Sequence, residues 1–273
     1  MEKLKNLYCN GSSLSAGGGL YERHIKDEYK KLYDVEWENE KDVTYAKYIS
    51  DYYDLKLIHK AECGSGSPRL IRETYNFIKK IGIDEAKKTL FLFEITDPIH
   101  RIDMYCKEIH DHIIVNVRYD GKNDGSLSDL SIVHSYSPNF RKYENENFRG
   151  KLENNLKNYL DDFHDPIVYT EKIKYELVGL FLFLEKIEVP FYYMFDTFTL
   201  KEPIFLYDEL DKKHKVIIDE NVHNSSHFCH KNKLTIKDDL NGFSDDTHPG
   251  YFGYKKFSEK LIEFLNSRAI LTV

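Results

Sequence analysis

The apolar run Thr89 to Ile95 (Thr-Leu-Phe-Leu-Phe-Glu-Ile) has apolar side chains at both odd and even positions. A strand pointing successive side chains to opposite faces is then buried on both, as in a parallel sheet covered by helices. Val189 to Phe195 has the same character, and Leu4 to Cys9 and Leu55 to Ala61 predict two further strands. Between them the apolar spacing changes to three and four. Val43 to Tyr53 predicts a helix, and so does the segment from Pro68, where Leu70, Ile71, Tyr75 and Ile78 form a stripe. Pro68 suits a first helical position with Ser67 as N-cap. Lys172 to Glu188, with Leu177, Phe181 and Leu184 on one face, and Gly253 to Asn266 predict two more helices.

Strands alternating with helices imply an α/β fold, a three-layer α/β/α sandwich around a mainly parallel sheet. The 273 residues are read as a single domain. Residues 111–165 break the alternation: Asp120 to Gly125 is turn chemistry and Lys151 to Leu160 has helical spacing. This stretch is expected to be an insertion or lid. No period of 20–50 residues repeats, which excludes solenoids and propellers.

Lysine and arginine number 39 against 46 acids, a net charge of −7. That balance argues against a nucleic-acid partner, which calls for a basic face. The most apolar stretch, Leu177 to Phe198, is interrupted by Glu185, Lys186, Glu188 and Pro190, so no membrane span is expected. Residues 1–8 carry no apolar core of a secretory signal, and the four cysteines are scattered without a Cys-x-x-Cys pair. Reduced thiols and a cytoplasmic location are the corresponding expectations.

Parallel α/β sheets bind ligands at the carboxyl ends of their strands. Three predicted strands end in reactive-looking turns there: Cys9-Asn-Gly-Ser-Ser13, Cys63-Gly-Ser-Gly-Ser67 and Glu94-Ile-Thr-Asp97. Asp245-Asp-Thr-His248-Pro249 precedes the last helix. A serine just past a strand end acts as a nucleophile if a histidine takes its proton and a carboxylate orients that histidine. The three-residue separation of Asp245 and His248 nominates Asp245 for the last role.

The segment Gly11-Ser12-Ser13-Leu14-Ser15-Ala16-Gly17 together with Asp245 to Pro249 resembles the opening and closing blocks of the SGNH, or GDSL-type, hydrolases. The opening block of that superfamily reads Gly-Asp-Ser-Leu-Thr-x-Gly, so Ser12 stands for Asp and Ser15 for Thr. Its closing Asp-x-x-His-Pro is matched in full. Gly64-Ser65-Gly66 or Gly66-Ser67 falls on its second block, and Glu94 to Asp97 on its third, Gly-x-Asn-Asp. The resemblance implies an SGNH-hydrolase-like (flavodoxin-like) fold and an esterase needing no cofactor. It implies Ser13 as nucleophile, His248 as base and Asp245 as orienting carboxylate. The oxyanion hole would comprise Ser13, Gly64 and Thr96, with Thr96 in place of the usual Asn. Members of the superfamily cleave acetyl esters on sugars, short acyl esters, thioesters and lipid esters. The polar, acidic chain leans toward a small-molecule or glycan acyl ester as substrate.

Asp97, His100, Arg101 and Arg69 are candidates for positioning that substrate, against a reading as ordinary loop and helix-surface charge. His223, His227, Cys229 and His230 supply zinc-type ligands, but without a second pair at finger spacing no metal site is assigned. Ser12 and Thr96 also fit an alternative in which a catalytically silent domain of the same fold binds a glycan or serves in an assembly.

Overall fold

The computed structural model describes residues 3–96, 101–107, 111–119, 127–133, 146–163, 166–196, 208–218 and 224–268. Its central sheet contains β1 (Asn6–Asn10), β2 (Lys56–His59), β3 (Thr89–Thr96) and β7 (Phe191–Asp196), in the order β2-β1-β3-β7, every neighbouring pair parallel. The backbone of Val216 extends the β7 edge by donating to the Tyr193 carbonyl at 2.8 Å.

Strand alternation sorts the core into two halves. Leu7, Cys9, Leu90, Leu92, Tyr192 and Met194 point to one face. There they meet α2 (Arg23–Tyr33), α3 (Tyr45–Tyr52) and α11 (Tyr251–Ser267) through Ile25, Tyr29, Tyr45, Ile49, Tyr254 and Phe257. Tyr8, Phe91, Phe93, Ile95, Phe191 and Tyr193 point to the other, against α4 (Ser67–Ile81) and α7 (Pro166–Lys186). Phe181 of α7 stacks flat on Tyr193, ring centroids 4.8 Å apart. Each fully buried ring contributes about 1.5–3 kcal/mol by leaving water. The fold is therefore α/β, a mainly parallel sheet flanked by helices. No described helix is long and apolar enough to cross a membrane.

The insertion differs from the expectation. It already begins as strand at Arg101, where a loop is expected, with β4 (Arg101–Cys106), β5 (Asp111–Tyr119) and β6 (Leu127–Val133) forming an antiparallel sheet. The helix expected over 151–160 is α6, Glu146–Phe163; the expected turn at 120–125 lies outside the described residues. Arg72 of α4 ties the insertion to the body, donating from Nε to Asp103 of β4 at 3.0 Å. α2 is absent from the sequence expectation because only Ile25 and Tyr29 of its eleven residues are buried, too sparse a stripe to register.

At the start of α4, Gly66 rather than Ser67 occupies the N-cap position. The Ser67 hydroxyl instead donates to the Thr96 carbonyl at 2.8 Å, joining the turn after β2 to the end of β3. Glu62 N–H donates to the Gly11 carbonyl at 3.3 Å, joining that same turn to the one after β1. The three turns singled out in the sequence thus lie together at the carboxyl edge of the sheet. In the order β2-β1-β3 this edge is where successive connections diverge to opposite faces, the usual ligand crevice of such sheets.

Candidate active site

β1 ends at Asn10 and the chain turns at once into α1 (Ser13–Ala16), one short turn of helix. Ser12 caps it, its hydroxyl accepting from Leu14 N–H at 3.4 Å. Aspartate and serine are both favoured N-caps, so Ser12 preserves cap chemistry where the SGNH pattern has Asp. Gly17 ends the turn in the left-handed conformation, φ 81°. Ser13, the first residue of α1, is half-buried.

His248 comes from the other end of the chain. Its loop lies antiparallel to residues 234–237: Ile236 N–H donates to the His248 carbonyl at 2.9 Å, and Gly250 N–H to that of Leu234, also at 2.9 Å. This brings His248 Nε2 to 3.2 Å from Ser13 Oγ. The approach depends on Gly18, since a Cβ there would stand 2.9 Å from both the imidazole and Ser13 Cβ.

The carboxylate on His248 is Asp246, not Asp245. Asp246 Oδ1 accepts from His248 Nδ1 at 2.7 Å and from the His248 backbone N–H at 2.8 Å. The spacing of three suits a helical turn, but this segment is not helical. Outside a helix an aspartate readily folds over the N–H two residues on, which here belongs to His248. Asp245 faces solvent, its side chain 97% exposed, and pairs with Lys237. Two adjacent aspartates in a non-helical loop were the available signal. A carboxylate only accepts, so Nδ1 carries the proton and Nε2 is left to accept from the Ser13 hydroxyl. Burial works to raise the Asp246 pKa, but the hydrogen bonds and charge of His248 outweigh it and hold Asp246 below the usual carboxylate range.

No family model matches this chain, and no curated protein does. Among solved structures it is similar to the psychrotrophic esterase EstA from Pseudoalteromonas sp., inhibited by monoethylphosphonate. The identity is 12% over 96% of this chain and 97% of that one, with a TM-score of 0.40. A match at that level carries nothing about the chemistry of this chain.

The other nominated residues fall in different places. The backbone N–H groups of Ser13 and Gly64 have no acceptor among the described residues. Gly64 adopts φ 79°, open to glycine without strain. The Thr96 hydroxyl is enclosed, with no partner among the described residues.

Arg69 is turned into the fold. It pairs with Glu62 at 2.7 Å and donates to the Lys60 carbonyl at 2.9 Å and to Ser65 Oγ. A guanidinium at the first turn of α4 reaches back across the 62–67 turn, so it braces the Gly64 loop and is not presented to a substrate. Arg101 opens β4, while Asp97 and His100 lie outside the described residues.

The polar stretch around His227 is helical, α9 (Ser225–Asn232). Among the described residues no three His, Cys, Asp or Glu side chains gather as metal ligands; His223 lies outside them. Cys229 is buried, which pushes its thiol pKa up.

One neighbour of the site escaped the sequence reading. His59, at the end of β2, places Nε2 3.0 Å from the Ser15 carbonyl of α1. Burial first, then the nearby Lys41 charge, lower its pKa to about 4. It is therefore a neutral imidazole donating from Nε2–H. Nothing in the spacing around Leu57-Ile-His59 marks it.

Proposed function

We propose that the protein is a serine ester hydrolase of SGNH type, acting through an acyl-Ser13 intermediate on small or carbohydrate O-acyl esters. The observation that carries this is the chain of contacts Ser13 Oγ, His248 Nε2, His248 Nδ1 and Asp246 Oδ1, at 3.2 and 2.7 Å. A serine, a correctly protonated imidazole and an ionised carboxylate in that order make an activated nucleophile.

Ser13 Oγ attacks the ester carbonyl carbon as its proton passes to His248 Nε2. Asp246 stays ionised and stabilises the imidazolium that forms. The carbonyl oxygen, now negative, takes the unpaired N–H groups of Ser13 and Gly64. Collapse breaks the bond to the alcohol, which leaves with the proton from Nε2. Water then attacks the acyl group, gives a proton to Nε2, and the acid departs as Ser13 Oγ regains that proton.

The experiment is labelling with a fluorophosphonate, read by intact mass. One adduct on the wild type, lost in both Ser13→Ala and His248→Ala, is the expected result. No adduct under conditions that label a known serine esterase overturns the hydrolase and leaves the fold with a binding role.

A further inference from the structure

One side chain in the central sheet breaks the logic of its own strand. On β3, Leu90 and Leu92 point into the apolar half of the core beneath α3 and α11. The next residue in that row is Glu94, wholly enclosed. An ionised carboxylate in that position is costly unless donors surround it.

Donors do surround it, and they come from both halves of the candidate site. The Ser15 hydroxyl of α1, two residues from Ser13, donates to one carboxylate oxygen. The Ser225 hydroxyl at the start of α9 donates to the other at 3.2 Å. Behind Ser15 the donors run one way. Cys9 Sγ lies 3.8 Å from the Tyr45 hydroxyl, which lies 2.5 Å from Ser15 Oγ. With Ser15 donating to Glu94, Tyr45 donates to Ser15, and the thiol to Tyr45. Burial keeps both outer groups protonated: it raises the Tyr45 phenol well above its ordinary value and the Cys9 thiol to about 12. Each carboxyl oxygen of Glu94 thus has a hydroxyl partner, one from α1 and one from α9.

α9 in turn leads to the His248 loop. Leu234 N–H closes its end on the Cys229 carbonyl at 2.8 Å, and residues 234–236 then pair with 248–250. There is no slack at the junction, since a Cβ on Gly11 would lie 2.7 Å from Ser15 Oγ and 2.8 Å from Glu94 Cβ.

We propose that Glu94 is a positioning residue, its carboxylate clamping α1 and α9 to the end of β3 and so fixing Ser13 Oγ against His248 Nε2. This rests on the serine-hydrolase reading. Glu94→Gln keeps the volume and sets an amide N–H₂ against one of the two hydroxyls. Displacing reacting atoms by about 1 Å costs on the order of 10²-fold.

Saturation kinetics of fluorophosphonate labelling are measured on wild type, Glu94→Gln, Glu94→Asp and Ser225→Ala, with near-UV circular dichroism as the check on folding. In Glu94→Gln the limiting rate is expected to fall roughly 10- to 100-fold, with half-saturation little changed. Glu94→Asp, which keeps the carboxyl group, is expected to recover part of that loss. Ser225→Ala, remote in sequence from both Ser13 and His248, is expected to lose rate in the same direction, and it carries the comparison if Glu94→Gln does not fold. Unchanged limiting rates in the folded variants, or a change confined to half-saturation, overturn the clamp alone. A wild type that takes no label overturns the hydrolase and the clamp together.

Discussion

Asp246→Asn is the sharpest test of the site, because the adjacent Asp245 is its internal control. Asparagine keeps an oxygen where Oδ1 accepts both His248 bonds, so the loop geometry is retained and the charge is lost. At the 2.7 Å separation of Asp246 Oδ1 and His248 Nδ1, an effective dielectric of about 20 gives roughly 6 kcal/mol between full charges. That corresponds to about four decades in rate at 1.36 kcal/mol each. The side chains of Asp246 and His248 are 20% and 34% exposed, so water screens part of the attraction and the amide dipole returns some more. The expected loss in kcat for hydrolysis of p-nitrophenyl acetate is therefore about 10³- to 10⁴-fold. Asp245→Asn, altering a solvent-facing carboxylate paired only with Lys237, is expected to stay within about threefold of wild type. An Asp246→Asn enzyme within tenfold of wild type, or an Asp245→Asn enzyme equally crippled, would refute the assignment of the orienting carboxylate.

Gly18→Ala pushes a methyl against the His248 ring and Ser13 Cβ; kcat is expected to fall by at least about 10²-fold in a folded protein, and full activity would show that the contact is not needed. His59 carries a pH signature. With a folded pKa of about 4 against 6.5 unfolded, the unfolded chain binds its proton first, so this stability is complete above pH 6.5 and lost as pH falls toward 4. Between pH 7 and 4.5 the wild type should lose up to about 3 kcal/mol that His59→Gln does not. Urea midpoints measured across that range would run parallel in the two proteins if the imidazole were not held neutral.

Continuous apolar runs and three-to-four spacings made the layers of this protein legible without coordinates, since both patterns follow from local backbone geometry. The runs at 89–95 and 189–195 are β3 and β7, and Leu70, Ile71 and Ile78 of the predicted stripe form the buried face of α4, while Tyr75 is exposed. Where burial is sparse that signal fails, and α2 went unread. The reactive turns were visible because Gly and Ser at strand ends are local features as well.

Which aspartate meets His248 was not local. It depends on the backbone hydrogen bonds that hold the loop to residues 234–237, in which Asp245 is turned to solvent beside Lys237. Arg69 and Glu94 make the same point from opposite directions. Composition cannot say whether an arginine on a helix faces a substrate or braces a turn, and only the packed structure supplies the Lys60 carbonyl and Glu62 that capture it. In the sequence Glu94 reads only as part of an apolar run and of the turn that ends it. Its partners, Ser15 and Ser225, lie 79 and 131 residues away, so the contacts that compensate its burial are a property of the folded chain.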